Sequence, residues 1–134
     1  MSDTEDKVLH DGLAVQRDMF GSDMAERALE RATDFTRPLQ ELVTRYCFGE
    51  VWTRPALDRA SRSMITLAML IALDRPNEIK LHIRGALANG VSKEQIREIL
   101  LHATIYCGVP LGVGAFRAAG EVLAELGLEP APRQ

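Results

Sequence analysis

Glu78 and His82 are the residues whose types and spacing most directly point to chemistry. They stand four residues apart in "RPNEIKLHIRGALANG", residues 75–90, which starts with a proline and ends with Asn-Gly as a helix does. This spacing brings both side chains onto one helix face. The carboxylate can fix the tautomer of the imidazole, which changes its protonation state near neutral pH. The pair is therefore an acid–base centre, a packed histidine or a surface ion pair.

The two cysteines, Cys47 and Cys107, offer no redox or zinc-binding pattern. No Cys-x-x-Cys occurs, and no histidine lies at zinc-finger spacing from a cysteine pair. From the residues alone, Cys107 is expected to be a small buried side chain between two helices. The sequence excludes a local dithiol centre and does not support a disulfide framework.

The helix around Glu78 and His82 is well delimited. Its apolar residues cluster on one side, which the pair borders: Ile79, Ile83, Ala86, Leu87 and Gly90. Asn89-Gly90 is a stop signal, and Ser92 with Gln95 predicts a capping box for the next helix. That next helix, "KEQIREILLHATIYCG", is apolar on two sides, so we expect it to have a central place or to form a subunit contact.

Helix signals fill the rest of the chain. Residues of about 5–20 predict a charged first helix that Gly12 weakens, and Ser22 is the predicted cap of a second. A third helix is expected to stop at Gly49. No run of strict alternation predicts a strand. The sequence therefore predicts an all-α bundle of six or seven helices, in one domain over residues 1–134.

Composition narrows the function classes. The net charge of −3 and the absence of a Lys/Arg block give nucleic-acid binding little support. The longest apolar run, residues 64–73, is about half the 20 residues that a membrane span requires. The N-terminus is acidic where a secretory signal would be basic and then apolar. We therefore expect no membrane association and a cytoplasmic location.

Four motifs in this order resemble the carboxymuconolactone decarboxylase family. They are "WTRP" (52–55), "RSMITLAMLIAL" (62–73), "LHIRGALANG" (81–90) and "IYCGVP" (105–110). The resemblance covers nearly the whole chain, with a domain core of about residues 35–126. It implies an alkylhydroperoxidase-D-like helical subunit that forms a homo-oligomer, a hexamer or a trimer. It also implies decarboxylation, without cofactor or metal, of 4-carboxymuconolactone to the β-ketoadipate enol-lactone in aromatic catabolism.

The substrate that the resemblance implies is a small lactone with two carboxylates. The protein must hold the retained carboxylate, stabilise an oxyanion and deliver a proton to carbon. His82 is the expected proton donor, and Glu78 is expected to favour its protonated form. Arg54 and Arg62 are the expected carboxylate-binding cations. Trp52 and Cys107 are two further expected substrate contacts. Arg84 is a third and weaker candidate among the arginines.

Several alternatives remain open at this point. The alkylhydroperoxidase-D-like branch carries Cys-x-x-Cys-x-x-x-His, but Arg75 and Glu78 occupy the two cysteine positions here and only His82 remains. That argues against a thiol-dependent oxidoreductase. The chain could also be a non-catalytic oligomeric protein, or act on another small carboxylated lactone or β-keto acid. Arg117 stands where some members have histidine, and Trp52 could simply anchor its loop.

Overall fold

The computed structural model describes residues 3–131, with the backbone alone for residues 5 and 6. Every regular element in that range is helical, which confirms the all-α prediction. The elements are α1 (Asp3–Phe20), α2 (Ser22–Glu30), α3 (Arg37–Leu42), a π-helical segment (Val43–Val51), α4 (Arg59–Ala72), α5 (Pro76–Ala88), α6 (Lys93–Cys107) and α7 (Val109–Glu125). Across residues 3–131, no helix has both the length and the apolar composition needed to cross a membrane.

The chain divides into two compact units, Met1–Arg59 and Ala60–Gln134. The structure describes residues 3–59 of the first unit and residues 60–131 of the second. The first unit contains α1 to α3 and the π-helical segment. The second contains α4 from Ala60 onward, and α5 to α7. The expectation of a single domain over residues 1–134 stays a prediction.

Backbone contact holds the first unit together. A Cβ added to Gly12 of α1 would lie 1.9 Å from the Thr44 carbonyl oxygen, and one added to Gly49 would lie 2.4 Å from the Val8 carbonyl oxygen. These glycines let α1 and the π-helical segment meet main chain to main chain. The prediction that Gly49 ends the third helix is therefore wrong: helical structure continues to Val51, and the glycine serves close packing.

The second helix also begins differently from the prediction. Gly21 occupies the N-cap position of α2, with φ at 93° and no side-chain hydrogen bond, and Ser22 is already helical. The predicted Ser22 cap is therefore wrong. An N-cap hydroxyl has to precede the first turn of the helix so that it can accept a hydrogen bond from a backbone N–H of that turn. Gly21 turns the chain directly out of α1, and Ser22 is therefore already part of the first turn of α2.

Aliphatic side chains form the core of the second unit. The buried set includes Leu67 and Ile71 of α4, Ile79, Ile83 and Ala86 of α5, Ile96 and Leu100 of α6, and Ala115, Ala118 and Val122 of α7. Gly112 lets α7 approach α6 closely, because a Cβ at this position would lie 2.0 Å from the Thr104 hydroxyl oxygen.

The predicted limits of α5 and α6 are confirmed. Asn89 is the C-cap of α5, and Ser92 with Gln95 forms the capping box of α6. The two apolar sides of α6 differ in burial: Ile96 and Leu100 are buried, whereas Leu101 and Ile105 are 47% and 80% exposed. One side of α6 therefore packs into the core and the other is open in the single chain.

Ion pairs connect α5 with α7. Lys80 pairs with Glu121 at 2.6 Å, and Arg84 pairs with Glu125. Both pairs join residues four apart on each helix and in the same order, so α5 and α7 run in the same direction. Arg84, the weaker third arginine of the sequence-based hypothesis, thus has a carboxylate partner on α7.

Candidate active site

His82 lies in the middle of α5, next to the buried Ile83 that fixes its helix in the core. Its imidazole is partly buried, and Glu78 is exposed in the first turn of the same helix. Burial lowers the pKa of His82 below the ordinary 6.5, and the negative charge of Glu78 opposes this shift. Because burial is the larger cause, the net effect favours the neutral imidazole in the free protein.

The sequence-based hypothesis included one of the two influences on the His82 pKa. Glu78 does favour the protonated imidazole, as expected from the i, i+4 spacing. The expectation left out desolvation, which the sequence spacing alone does not report. The two groups nevertheless form a carboxylate–imidazole pair whose charges interact within one helix.

Arg62 lies in the first turn of α4 and is partly buried. The next residue, Ser63, is 0% exposed and accepts a hydrogen bond of 3.0 Å from the Asn89 side-chain amide at the end of α5. This bond ties the beginning of the helix that carries Arg62 to the end of the helix that carries His82. Asn89 follows His82 by seven residues, which is about 10 Å along the helix.

The Ser63–Asn89 bond was missed by the sequence reasoning. The two residues are 26 positions apart, so no local pattern joins them. The only sequence signal is that Ser63 directly precedes the apolar run of residues 64–73, where a buried hydroxyl would need a partner. The sequence pattern at Asn89-Gly90 indicates only a helix end.

Cys107 lines a groove of about 550 Å³ between α4 and α6. Met64 and Ile65 form one wall, and the rings of His102 and Tyr106, with centroids 4.9 Å apart, lie on the other. The described lining includes the Glu98 carboxylate but no lysine or arginine. The structure thus gives Cys107 a groove-lining place, and its predicted contact with the substrate stays a prediction.

Trp52 and Arg54 belong to the first unit. Trp52 is buried and stacks on Phe48 with ring centroids 5.8 Å apart. Burial raises the pKa of the Cys47 thiol, and a hydrogen bond from Trp52 partly offsets this shift. Arg54 is exposed in the segment between the π-helical segment and α4. Trp52 therefore has a core-anchoring role, while His82, Glu78, Arg62 and Cys107 all belong to the second unit.

Comparison with known proteins agrees with the helical architecture. Residues 37–121 match the model of the carboxymuconolactone decarboxylase family. A 4-carboxymuconolactone decarboxylase of Acinetobacter baylyi is 40% identical over 119 residues, which are 89% of each chain. The nitrosuccinic acid decarboxylase npaB of Metarhizium robertsii is 48% identical over 104 residues, 78% of this chain and 73% of that one. The breadth of these matches shows that the chain belongs to the carboxymuconolactone decarboxylase family.

Proposed function

We propose that this chain is a carboxy-lyase that removes CO2 from 4-carboxymuconolactone without a cofactor. The observation that carries the proposal is the partly buried His82, one helical turn after Glu78, in a chain similar over most of its length to a 4-carboxymuconolactone decarboxylase. The product is the enol-lactone of β-ketoadipate, and the reaction belongs to aromatic catabolism through protocatechuate.

The substrate supplies its own electron sink. The departing carboxylate is attached to a ring carbon that is conjugated, through a double bond, with the lactone carbonyl. When the carbon–carbon bond breaks, its electron pair passes through the ring onto the carbonyl oxygen and forms a dienolate. One proton, added at the carbon next to the carbonyl, completes the reaction. The protein therefore has to stabilise an oxyanion and donate a proton.

His82 donates this proton. In the free protein its lowered pKa favours the neutral imidazole. A dianionic substrate beside the ring favours the charged form, and Glu78 acts in the same direction. Substrate binding therefore brings a proton onto His82, and the dienolate receives it. His82 is therefore protonated for the reaction only when a substrate is bound.

Cations hold the retained carboxylate. Arg62 is the first of them, because α4 and α5 are joined at the Ser63–Asn89 bond and the guanidinium can bind a carboxylate through two hydrogen bonds. Arg54 is the second, on the strength of the "WTRP" motif. For Trp52, as for Arg54, the proposed substrate contact rests on the "WTRP" motif, and for Cys107 it rests on the "IYCGVP" motif.

The reaction can be tested directly with the purified chain. Synthetic 4-carboxymuconolactone is added without cofactor, and mass spectrometry follows the loss of CO2 and the appearance of the enol-lactone. We expect turnover that chelators leave unchanged. An intact lactone after prolonged incubation, with folded protein verified by circular dichroism, would contradict the proposal.

Nitrosuccinate is a second candidate substrate. The observation that favours it is the 48% identity to a nitrosuccinic acid decarboxylase. Its departing carboxylate is on the carbon that bears the nitro group, so the electron pair moves onto the nitro oxygens as a nitronate, and the same carbon is then protonated. The demands on His82 and the arginines are unchanged. The ratio of kcat/KM for the two compounds, measured on one preparation, decides between them.

We further propose that the chain works as a cytoplasmic homo-oligomer, a hexamer or a trimer. Large apolar side chains on α6 support this assembly, since Ile105 and Tyr106 are 80% and 79% exposed in the single chain. Exposed apolar surface of this kind marks interaction sites. Light scattering coupled to gel filtration gives the mass, and a monomer at micromolar concentration would exclude the assembly.

A further inference from the structure

A separate cavity of about 260 Å³ lies in the second unit between α6, α7 and the segment that follows α7. Ile96, Leu100 and Leu123 form its apolar base, and Phe116 lies at its rim, 37% exposed. Its described lining shares no residue with the site proposed around Glu78, His82 and Arg62. The cavity is therefore separate from the residues proposed to carry the reaction.

Gly120 shows that this space is left open by the chain itself. It lies inside α7 and lines the cavity, and a Cβ added to it would meet no heavy atom within 4 Å. Glycine destabilises a helix interior relative to alanine. Gly112, on the same helix, is required by the contact with Thr104, whereas no contact with the described residues requires Gly120.

Among the described charged side chains that line the cavity, one cation has no ion-pair partner. Lys93 forms an ion pair with Glu129 at 3.1 Å and donates a hydrogen bond to the Leu128 carbonyl at 3.2 Å. Both contacts hold the segment after α7 as a wall. Arg97 also lines the cavity, and none of the side chains described in residues 3–131 forms an ion pair with it. The Glu129 charge is thus balanced by Lys93, and Arg97 gives the opening a net positive charge.

We propose that this cavity is a second ligand site, for a small monocarboxylate whose apolar body is about one six-membered ring. An apolar protein cavity of about 150 Å³ is known to hold benzene, so the observed volume leaves room for a ring and a carboxylate. The ring lies against Leu100, Leu123 and the open face of Gly120. The carboxylate reaches Arg97, whose planar guanidinium binds it through two hydrogen bonds.

Isothermal titration calorimetry of the full chain with benzoate tests this site. We expect one benzoate per chain and clearly weaker binding of benzamide, which has the same shape without the charge. Arg97→Gln should weaken benzoate binding about tenfold to a hundredfold, because a charge-assisted hydrogen-bonded pair is lost. The matched control Arg31→Gln, in the first unit, should bind as the wild type does.

Gly120→Leu supplies an independent variant. Its side chain enters the open volume, so benzoate binding should be lost while the thermal unfolding temperature stays the same or rises. The proposal is overturned if benzoate does not bind, if both variants bind it normally, or if Arg62→Gln rather than Arg97→Gln removes binding. A change in oligomeric mass in Gly120→Leu would also overturn it, because the cavity would then belong to an interface between chains.

Discussion

Two helices of the second unit carry the same Glu-x-x-x-His spacing, and they place it in different surroundings. In α5 the pair is Glu78 and His82, with a partly buried imidazole whose pKa burial lowers. In α6 it is Glu98 and His102, with an exposed imidazole beside the Tyr106 ring in an open groove. Spacing alone therefore does not make an acid–base centre. The partial removal of water from His82 is what distinguishes the α5 pair.

The largest expected effect separates the two histidines. His82→Ala should lower kcat for the lactone by about 10²- to 10⁴-fold, the range that a positioned general acid contributes. The matched control His102→Ala should stay within about threefold. Steady-state kinetics with both purified variants makes the comparison, and equal losses would show that the α5 pair has no special role.

A smaller effect is expected where α5 is joined to α4. Ser63→Ala removes the acceptor of the Asn89 amide in a buried place, so it should lower the free energy of unfolding by about 1–3 kcal/mol. Thr66→Val on the same helix is the control, because the hydrogen bond that the Thr66 hydroxyl donates among the described residues stays within α4, to the Arg62 carbonyl. Urea unfolding measures both. If Thr66→Val costs as much as Ser63→Ala, the bond between the helices is not the cause.

Replacing the two glutamates, Glu78 and Glu98, should have effects that differ by less than those of replacing the two histidines. Glu78→Gln removes the charge that favours the imidazolium, so the pKa of His82 should fall further and kcat should fall by less than about tenfold. Glu98→Gln should leave the pKa of His82 unchanged. Titration of the imidazole signals by NMR gives both values. A pKa of His82 that rises in Glu78→Gln would contradict the assignment.

The smallest expected effect is on stability as the pH changes. Because burial holds the pKa of folded His82 below that of an exposed imidazole, the unfolded chain binds a proton where the folded chain does not. The His82 contribution is therefore complete above about pH 6.5 and is lost as the pH falls through the folded-state pKa. The difference in unfolding free energy between wild type and His82→Gln, measured from about pH 7.5 to pH 4.5, should show this loss.

Local signals predicted α5 and α6 well. Pro76, Asn89 and the Ser92–Gln95 box act within four residues, so the sequence is sufficient to place them. The interaction of Glu78 with His82 was equally accessible, because it too lies within one helix. The predictions at Ser22 and Gly49 failed for different reasons. Gly21 turns the chain out of α1 and takes the N-cap position itself, so Ser22 is already helical. Whether a glycine ends a helix or admits a neighbouring backbone depends on residues far away in the chain, such as Val8 for Gly49.

The features of the candidate site that could not be predicted depend on tertiary packing. The net direction of the His82 pKa shift follows from how far the packed helices bury its imidazole. The Ser63–Asn89 bond and the pairing of Arg84 with Glu125 join residues 26 and 41 positions apart. A single sequence gives the residue types for such contacts, but only the packed helices determine which of them meet.

The two ion pairs between α5 and α7 also act on the register of these helices. If α7 slid by one full turn, Glu121 would face Arg84, and Lys80 and Glu125 would both lose their partners. A slide of half a turn would break both pairs. Exposed pairs of this kind contribute at most about 1 kcal/mol each, so they add little to the depth of the native energy minimum. Their effect is on the register of the helices. Both pairs form at the native position of α7 along its axis, and a shift of α7 to another position breaks one or both of them.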